Sequence, residues 1–158
     1  MLTQQQQDSL KLIAAAAVAS ENATGCPAEL TAAQCIFESA WLSKAPGNNC
    51  FGIKVDGHGA GEQYVLTSEY INGQWEHMPL AFEKYDSLED CFADHARLIQ
   101  SGVYATAWQQ YQADHDLNAF IAGVAEHYAT DPNYRALITQ EANSETVRSA
   151  LEAAREEA

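Results

Sequence analysis

Leu10, Ile13, Ala14 and Ala17 recur at helical spacing and predict a first helix from about Thr3 to Ser20. Asn22 to Pro27 reads as a turn, and a second helix starts near Ala28 with Leu30, Ala33, Phe37 and Trp41 along one stripe. Pro46-Gly47-Asn48-Asn49 marks its end. Gly57, Gly59 and Gly61 follow in a loop, and then the period changes from helix to strand. Tyr64–Ile71 and Gln74–Phe82 flank Asn72-Gly73, the preferred pair for a two-residue type I′ turn. That turn fixes a register of Ile71 with Gln74, Tyr70 with Trp75 and Glu69 with Glu76. The last pair sets like charges opposite each other, which costs a few tenths of a kcal/mol or more. From Asp86 the helical pattern returns. Leu88, Cys91, Phe92, His95, Leu98 and Ile99 form one face, after the N-cap candidates Asp86 and Ser87. Further helices are expected at about Tyr104–Gln112, at Leu117–His127 behind an Asp116 cap, from Pro132, and from Ser144 to near the C-terminus. The fold class is mainly α (α+β): one helical domain over residues 1–158 with a small inserted hairpin.

One position breaks the apolar pattern. Glu38 stands alone in the run Ala33-Gln34-Cys35-Ile36-Phe37-Glu38-Ser39-Ala40-Trp41-Leu42. Burying a carboxylate against such neighbours costs several kcal/mol or raises its pKa. Proteins accept that where a proton donor is needed near neutral pH, or where backbone or an arginine satisfies the charge. Both readings stand at this point. His95, on an apolar helical face, reads as a core histidine.

Composition narrows the function classes. Eight basic against twenty-two acidic side chains give a formal charge of −14. No basic patch exists to release counterions, so nucleic acid and anionic membrane surfaces are excluded as expected partners, while a basic protein partner is permitted. No stretch is long and apolar enough for membrane insertion. Ile13–Ala19 lacks a basic n-region beyond Lys11 and reads as an amphipathic helix rather than an export leader. Cys26, Cys35, Cys50 and Cys91 have no Cys-x-x-Cys spacing, so no metal site is expected. They read as buried thiols, with one bridge allowed outside the cytoplasm.

Four segments carry a family resemblance. They are Ala33–Trp41, Asn48-Asn49-Cys50-Phe51-Gly52-Ile53-Lys54, Phe82–Asp90, and Tyr128-Ala129-Thr130-Asp131-Pro132-Asn133-Tyr134. In this order and spacing, over residues 5–140, the chain resembles the glucosaminidase domains of glycoside hydrolase family 73. The resemblance implies a lysozyme-like α fold with a β lobe, and cleavage of peptidoglycan glycan strands at the β-1,4 bond between N-acetylglucosamine and N-acetylmuramic acid. It implies Glu38 as general acid, Glu69 as the second acid with Glu76 behind it, and Tyr128 as the active-site tyrosine, with Tyr134 the lesser candidate. Asn49, Phe51, Tyr70, Trp75 and Tyr134 are the expected substrate-binding residues, and no cofactor is implied. Cys50, Ala40 and Glu83 stand where the family more often has leucine, glycine and arginine.

The chemistry agrees with that expectation, because a glycosidic oxygen leaves poorly unless protonated as its bond breaks. The rivals are a lytic transglycosylase or muramidase on the same fold, a phage lysis or tail hydrolase, and a non-catalytic wall-binding protein. The expected site of action is the periplasm or cell wall, reached without a classical signal peptide. A type VI-type antibacterial effector with a cognate immunity protein plugging the cleft fits that picture.

Overall fold

The computed structural model describes the backbone of residues 1–158 and every side chain except those of Glu69 and Tyr70. Seven helices surround a core, and a two-stranded antiparallel ribbon projects between the second and third. Helix α1 spans Gln4–Thr24, opened by a reciprocal Thr3/Gln6 capping box and closed by Gly25 at φ 81°. It runs past the expected Ser20, because the helical turns continue until that left-handed glycine.

Helix α2, Ala28–Ser39, is the central element. Ala28, Ala32, Cys35 and Ile36 face one hydrophobic cluster, with α1, α3 and α7; Leu30 and Ala33 face a second, with α5 and α6. A helix apolar on both sides must be enclosed. It ends seven residues before the expected Pro46 boundary. Ala40, Trp41 and Leu42 all adopt left-handed backbone, at φ 48°, 60° and 66°. Trp41 and Leu42 therefore lie beyond the helix rather than one turn along it, and both pack part-buried against the first cluster. Phe37 does not follow the buried stripe either. It is 46% exposed, packed edge-to-face with Tyr134 at a centroid separation of 5.5 Å.

The ribbon pairs β1 (Gly61–Ile71) with β2 (Gln74–Lys84) in the register the Asn72-Gly73 turn predicts, Glu69 opposite Glu76 included. After it come α3 (Leu88–Ile99), α4 (Ala105–Asp114), α5 (Leu117–Tyr128), α6 (Tyr134–Ala142) and α7 (Glu145–Glu157). Ser87, Asp116 and Ser144 cap α3, α5 and α7 through their side chains. Helix α6 begins at Tyr134, not Pro132, because Asp131 and Pro132 form a turn in which Tyr134 N–H donates to the Asp131 carbonyl. All four cysteines are free and buried, and Cys50 Sγ lies 3.6 Å from Cys91 Sγ.

Candidate active site

Glu38 occupies the last turn of α2, where the unpaired carbonyls give the helix its negative end. That field disfavours an ionised carboxylate. Burial pushes the Glu38 carboxyl above its ordinary value, and a hydrogen bond with Tyr134 pulls it partly back. The left-handed turn behind it is held by Ser39, which is fully buried. Its hydroxyl donates to the Cys35 carbonyl (2.6 Å) and accepts from Leu42 N–H (2.9 Å). Its carbonyl accepts from Lys44 N–H, and Gln5 of α1 donates to the Trp41 carbonyl. These bonds offset the roughly 1–2 kcal/mol that each left-handed non-glycine residue costs.

A small pocket of about 140 Å³ opens on the carboxyl, lined by Lys44, Pro46, Asn49, Gly52, Gln63, Val65 and Phe82. Among the described side chains lining it, Glu38 is the only carboxylate. A Cβ at Gly52 would lie 3.9 Å from Glu38 Oε2, so the backbone there is one wall. Two tyrosines pack behind the carboxyl, outside the pocket lining. Tyr134 is fully buried, and its hydroxyl meets both Glu38 and Gln34. Tyr128 stacks parallel on it, centroids 6.0 Å apart, and donates to the Phe51 carbonyl at 2.8 Å. Burial raises both phenols, so both are neutral.

The structure redistributes the expected site residues. Tyr134 holds Glu38, while the Tyr128 hydroxyl holds the Phe51-Gly52 backbone that lies over it. Phe51 is not a sugar platform. Its ring is 1% exposed, stacked 3.9 Å from His95 and edge-on to Phe92. Asn49 is not free for substrate either. Its amide nitrogen donates to the carbonyls of Ile53 and Glu83, and its oxygen accepts from Phe51 and Ile53 N–H. All four positions of that amide are filled. Trp75 is 69% exposed near the ribbon tip, at strand positions alternating with those of Phe82. Residues 69 and 76 share the register face of Gln63, Val65 and Phe82. The side chains of Glu69 and Tyr70 lie outside the described residues.

Several contributors escaped the sequence pattern. Glu83, 2% exposed, accepts backbone N–H groups from Asp56, Gly57 and Gly59 and so pins the glycine-rich loop to β2. Burial opposes its charge, yet those three donors hold it below the ordinary carboxylate value. Gln34 and His95 are polar residues at fully buried positions of helical stripes, a signal present in the sequence. Asp56, His58 and Asp94 form the one cluster of metal-ligating spacing among the described residues. Arg97 bridges the two aspartates, and Tyr85 donates to Asp94.

Residues 14–145 match the glucosaminidase family, described as mannosyl-glycoprotein endo-beta-N-acetylglucosaminidase. An autolysin of Enterococcus faecalis is 40% identical over 121 residues, covering 69% of this chain and 16% of the relative. The peptidoglycan hydrolase FlgJ of Escherichia coli K12 is 30% identical over 126 residues, covering 73% and 39%. A Lactococcus lactis protein named "Probable N-acetylmuramidase" is 34% identical over 142 residues, covering 83% and 31%. The chain thus spans well under half the length of these curated relatives. Among solved structures, a peptidoglycan hydrolase mutant from Sphingomonas sp. A1 superposes with TM-score 0.69 at 29% identity, over 96% of this chain and 99% of that one. The catalytic domain of the Listeria monocytogenes autolysin Auto shares the fold, with TM-score 0.75 at 24% identity, over 98% and 89%.

Proposed function

The chain belongs to the glucosaminidase family of glycoside hydrolases, and from that membership we propose that it hydrolyses the β-1,4 bond between N-acetylglucosamine and N-acetylmuramic acid in peptidoglycan, with Glu38 as general acid. The observation that carries this reading is a single half-buried carboxyl at the negative end of a buried helix, raised by desolvation and open to a pocket. Such a group keeps its proton until a glycosidic oxygen takes it.

In the reaction, Glu38 transfers its proton to the bridging oxygen as the C1–O bond breaks, and the bonding electrons leave with that oxygen. Water completes the anomeric carbon. Two routes deliver the water. A second carboxylate can act as base, and Glu69 is the candidate, backed by Glu76. Strand geometry gives about 3.3 Å per residue, so residue 69 lies about 13 Å along β1 from Val65 at the pocket. An inverting pair stands about 6.5–9.5 Å apart. The ribbon must therefore bend toward α2 for Glu69 to serve. Alternatively the substrate's N-acetyl group assists, and Glu69 contributes little. Tyr128 then serves by keeping the Phe51-Gly52 wall in place, and exposed Trp75 by meeting glycan farther out.

Mass spectrometry of digested sacculi tests the proposal. A new reducing N-acetylglucosamine end is expected; a reducing muramic end or a 1,6-anhydromuramic end overturns the bond assignment or the hydrolysis. Glu38→Gln is expected to slow digestion by about 10²–10⁴-fold while staying folded. Parent-like activity in that variant removes the acid. Action outside the cytoplasmic membrane, as a delivered antibacterial effector with an inhibitor protein over the cleft, is the finer part of this reading. The net charge of −14, which suits a basic inhibitor, is its support. Harmlessness on targeting to a periplasm sinks it.

A further inference from the structure

Three buried side chains link α3 to the catalytic carboxyl. His95 is fully buried, and its Nε2 lies 2.8 Å from Gln34 Oε1. Gln34 Nε2 donates to the Tyr134 hydroxyl at 3.0 Å. Tyr134 in turn lies beside Glu38, whose carboxyl its hydroxyl holds down against the rise from burial. Donor and acceptor roles follow from chemistry alone. An amide oxygen only accepts, so His95 must carry its hydrogen on Nε2. An amide nitrogen only donates, so the Tyr134 oxygen accepts from Gln34 and keeps its own hydrogen for the carboxyl. Among the described residues, His95 Nδ1 has no partner, as expected of a bare acceptor nitrogen at the head of such a chain. An orphaned buried nitrogen costs about 1–3 kcal/mol, an arrangement that calls for an explanation.

The geometry points to Gln34 and His95 as positioning residues for Glu38: a one-way series of donors, His95 to Gln34 to Tyr134 to Glu38, that commits one carboxyl oxygen to accepting and leaves the acidic hydrogen on the other, toward the pocket. This rests on Glu38 being the acid. The direction matters because an amide can turn over. With Gln34 reversed, its oxygen would take the Tyr134 hydrogen, and Glu38 would lose its donor. His95 prevents that reversal by offering a hydrogen where the amide oxygen must sit. Of the two neutral tautomers, only the one with its hydrogen on Nε2 suffices. Burial supplies the neutrality, lowering His95 to about 3. Its neighbours are the Phe51 ring, the Tyr128 ring and Gln34, none of them charged. Around Glu38 the titratable groups among the described side chains are Tyr134 on α6, Tyr128 on α5 and Lys44 in the loop after α2.

Two measurements test the arrangement. In the unmodified protein, ¹⁵N shifts of the His95 ring are expected to report the neutral Nε2–H form throughout pH 5–8. An Nδ1–H tautomer, which leaves no hydrogen facing the Gln34 oxygen, overturns the proposal without any variant. In catalysis, His95→Phe and Gln34→Met are expected to lower kcat at least about tenfold with KM little changed. They should also move the basic limb of the kcat profile upward by about half a pH unit or more, since the ionised form of Glu38 loses its donor. His95→Gln, which keeps an N–H at that place, should restore most of both. A loss that His95→Gln does not rescue, or unshifted limbs in folded variants, marks packing alone and overturns the chain of donors. Full activity in Glu38→Gln would instead defeat the acid assignment itself.

Discussion

Glu38 and Glu83 are both buried carboxyls, and they respond to pH in opposite senses. Glu38 is raised in the folded protein, so the unfolded chain loses that proton first as pH climbs. Stability contributed there is present below the ordinary carboxylate value and lost as pH rises through the folded one. Glu38→Gln is therefore expected to raise Tm at pH 7–8, with the gain shrinking toward pH 4; an equal gain at both ends contradicts it. Glu83 is lowered, so its stabilisation is present at neutral pH and lost as pH falls through its folded value. Glu83→Ala strands three backbone donors and should cost about 2–4 kcal/mol, or roughly 5–12 °C in Tm. That position 38 is an acid inside an apolar helical run was legible; what that acid does was not. The burial of the Phe51 ring was not legible, because an aromatic beside a glycine looks the same in sequence whether it faces a groove or the core. Its neighbours settle the matter, and His95 lies far away along the chain. His95 reads as a core histidine from its apolar helical face, and only the folded distances bring it to Gln34 and Tyr134.

Among the elements, the ribbon was the most readable and the end of α2 the least. Asn72-Gly73 fixes a two-residue loop, and one fixed pair determines every other. The strand ends were not readable, since they depend on Lys54 bridging to Phe82 and on the docked loop before Gly61. The stop at Ser39 was hidden because Ala40, Trp41 and Leu42 carry no turn signal. Three left-handed residues without glycine are held by tertiary bonds to Ser39 and Gln5, which local propensity cannot foresee. Ala40→Gly should relieve one of them and raise stability by about 1 kcal/mol, seen as roughly 2–4 °C in Tm. An unchanged or lower Tm would mean that the turn is not strained at that position.

Across the whole molecule, the family-matched segment stops where α7 starts, yet α7 is part of the core. Val147 and Leu151 are fully buried, and Arg155 joins Glu21 of α1 to Glu29 of α2. Leu151→Ala should cost about 2–5 kcal/mol in denaturant titration. A cost below 1 kcal/mol would show α7 to be an appendage. The opposite extreme is the ribbon, whose hydrogen bonds to the body, among the described residues, lie near its base, where Val55 and Gln63 bond across it. Mechanically it is a beam clamped at one end. The thermal excursion of such a beam grows steeply with its free length, and so does the distance its far pairs can travel toward the body. Reach and stiffness are thus set by one quantity, the number of rungs beyond the clamp. Trimming rungs would give a shorter, stiffer arm, and adding them a longer, looser one, so reach and stiffness are both written in the length of a single hairpin.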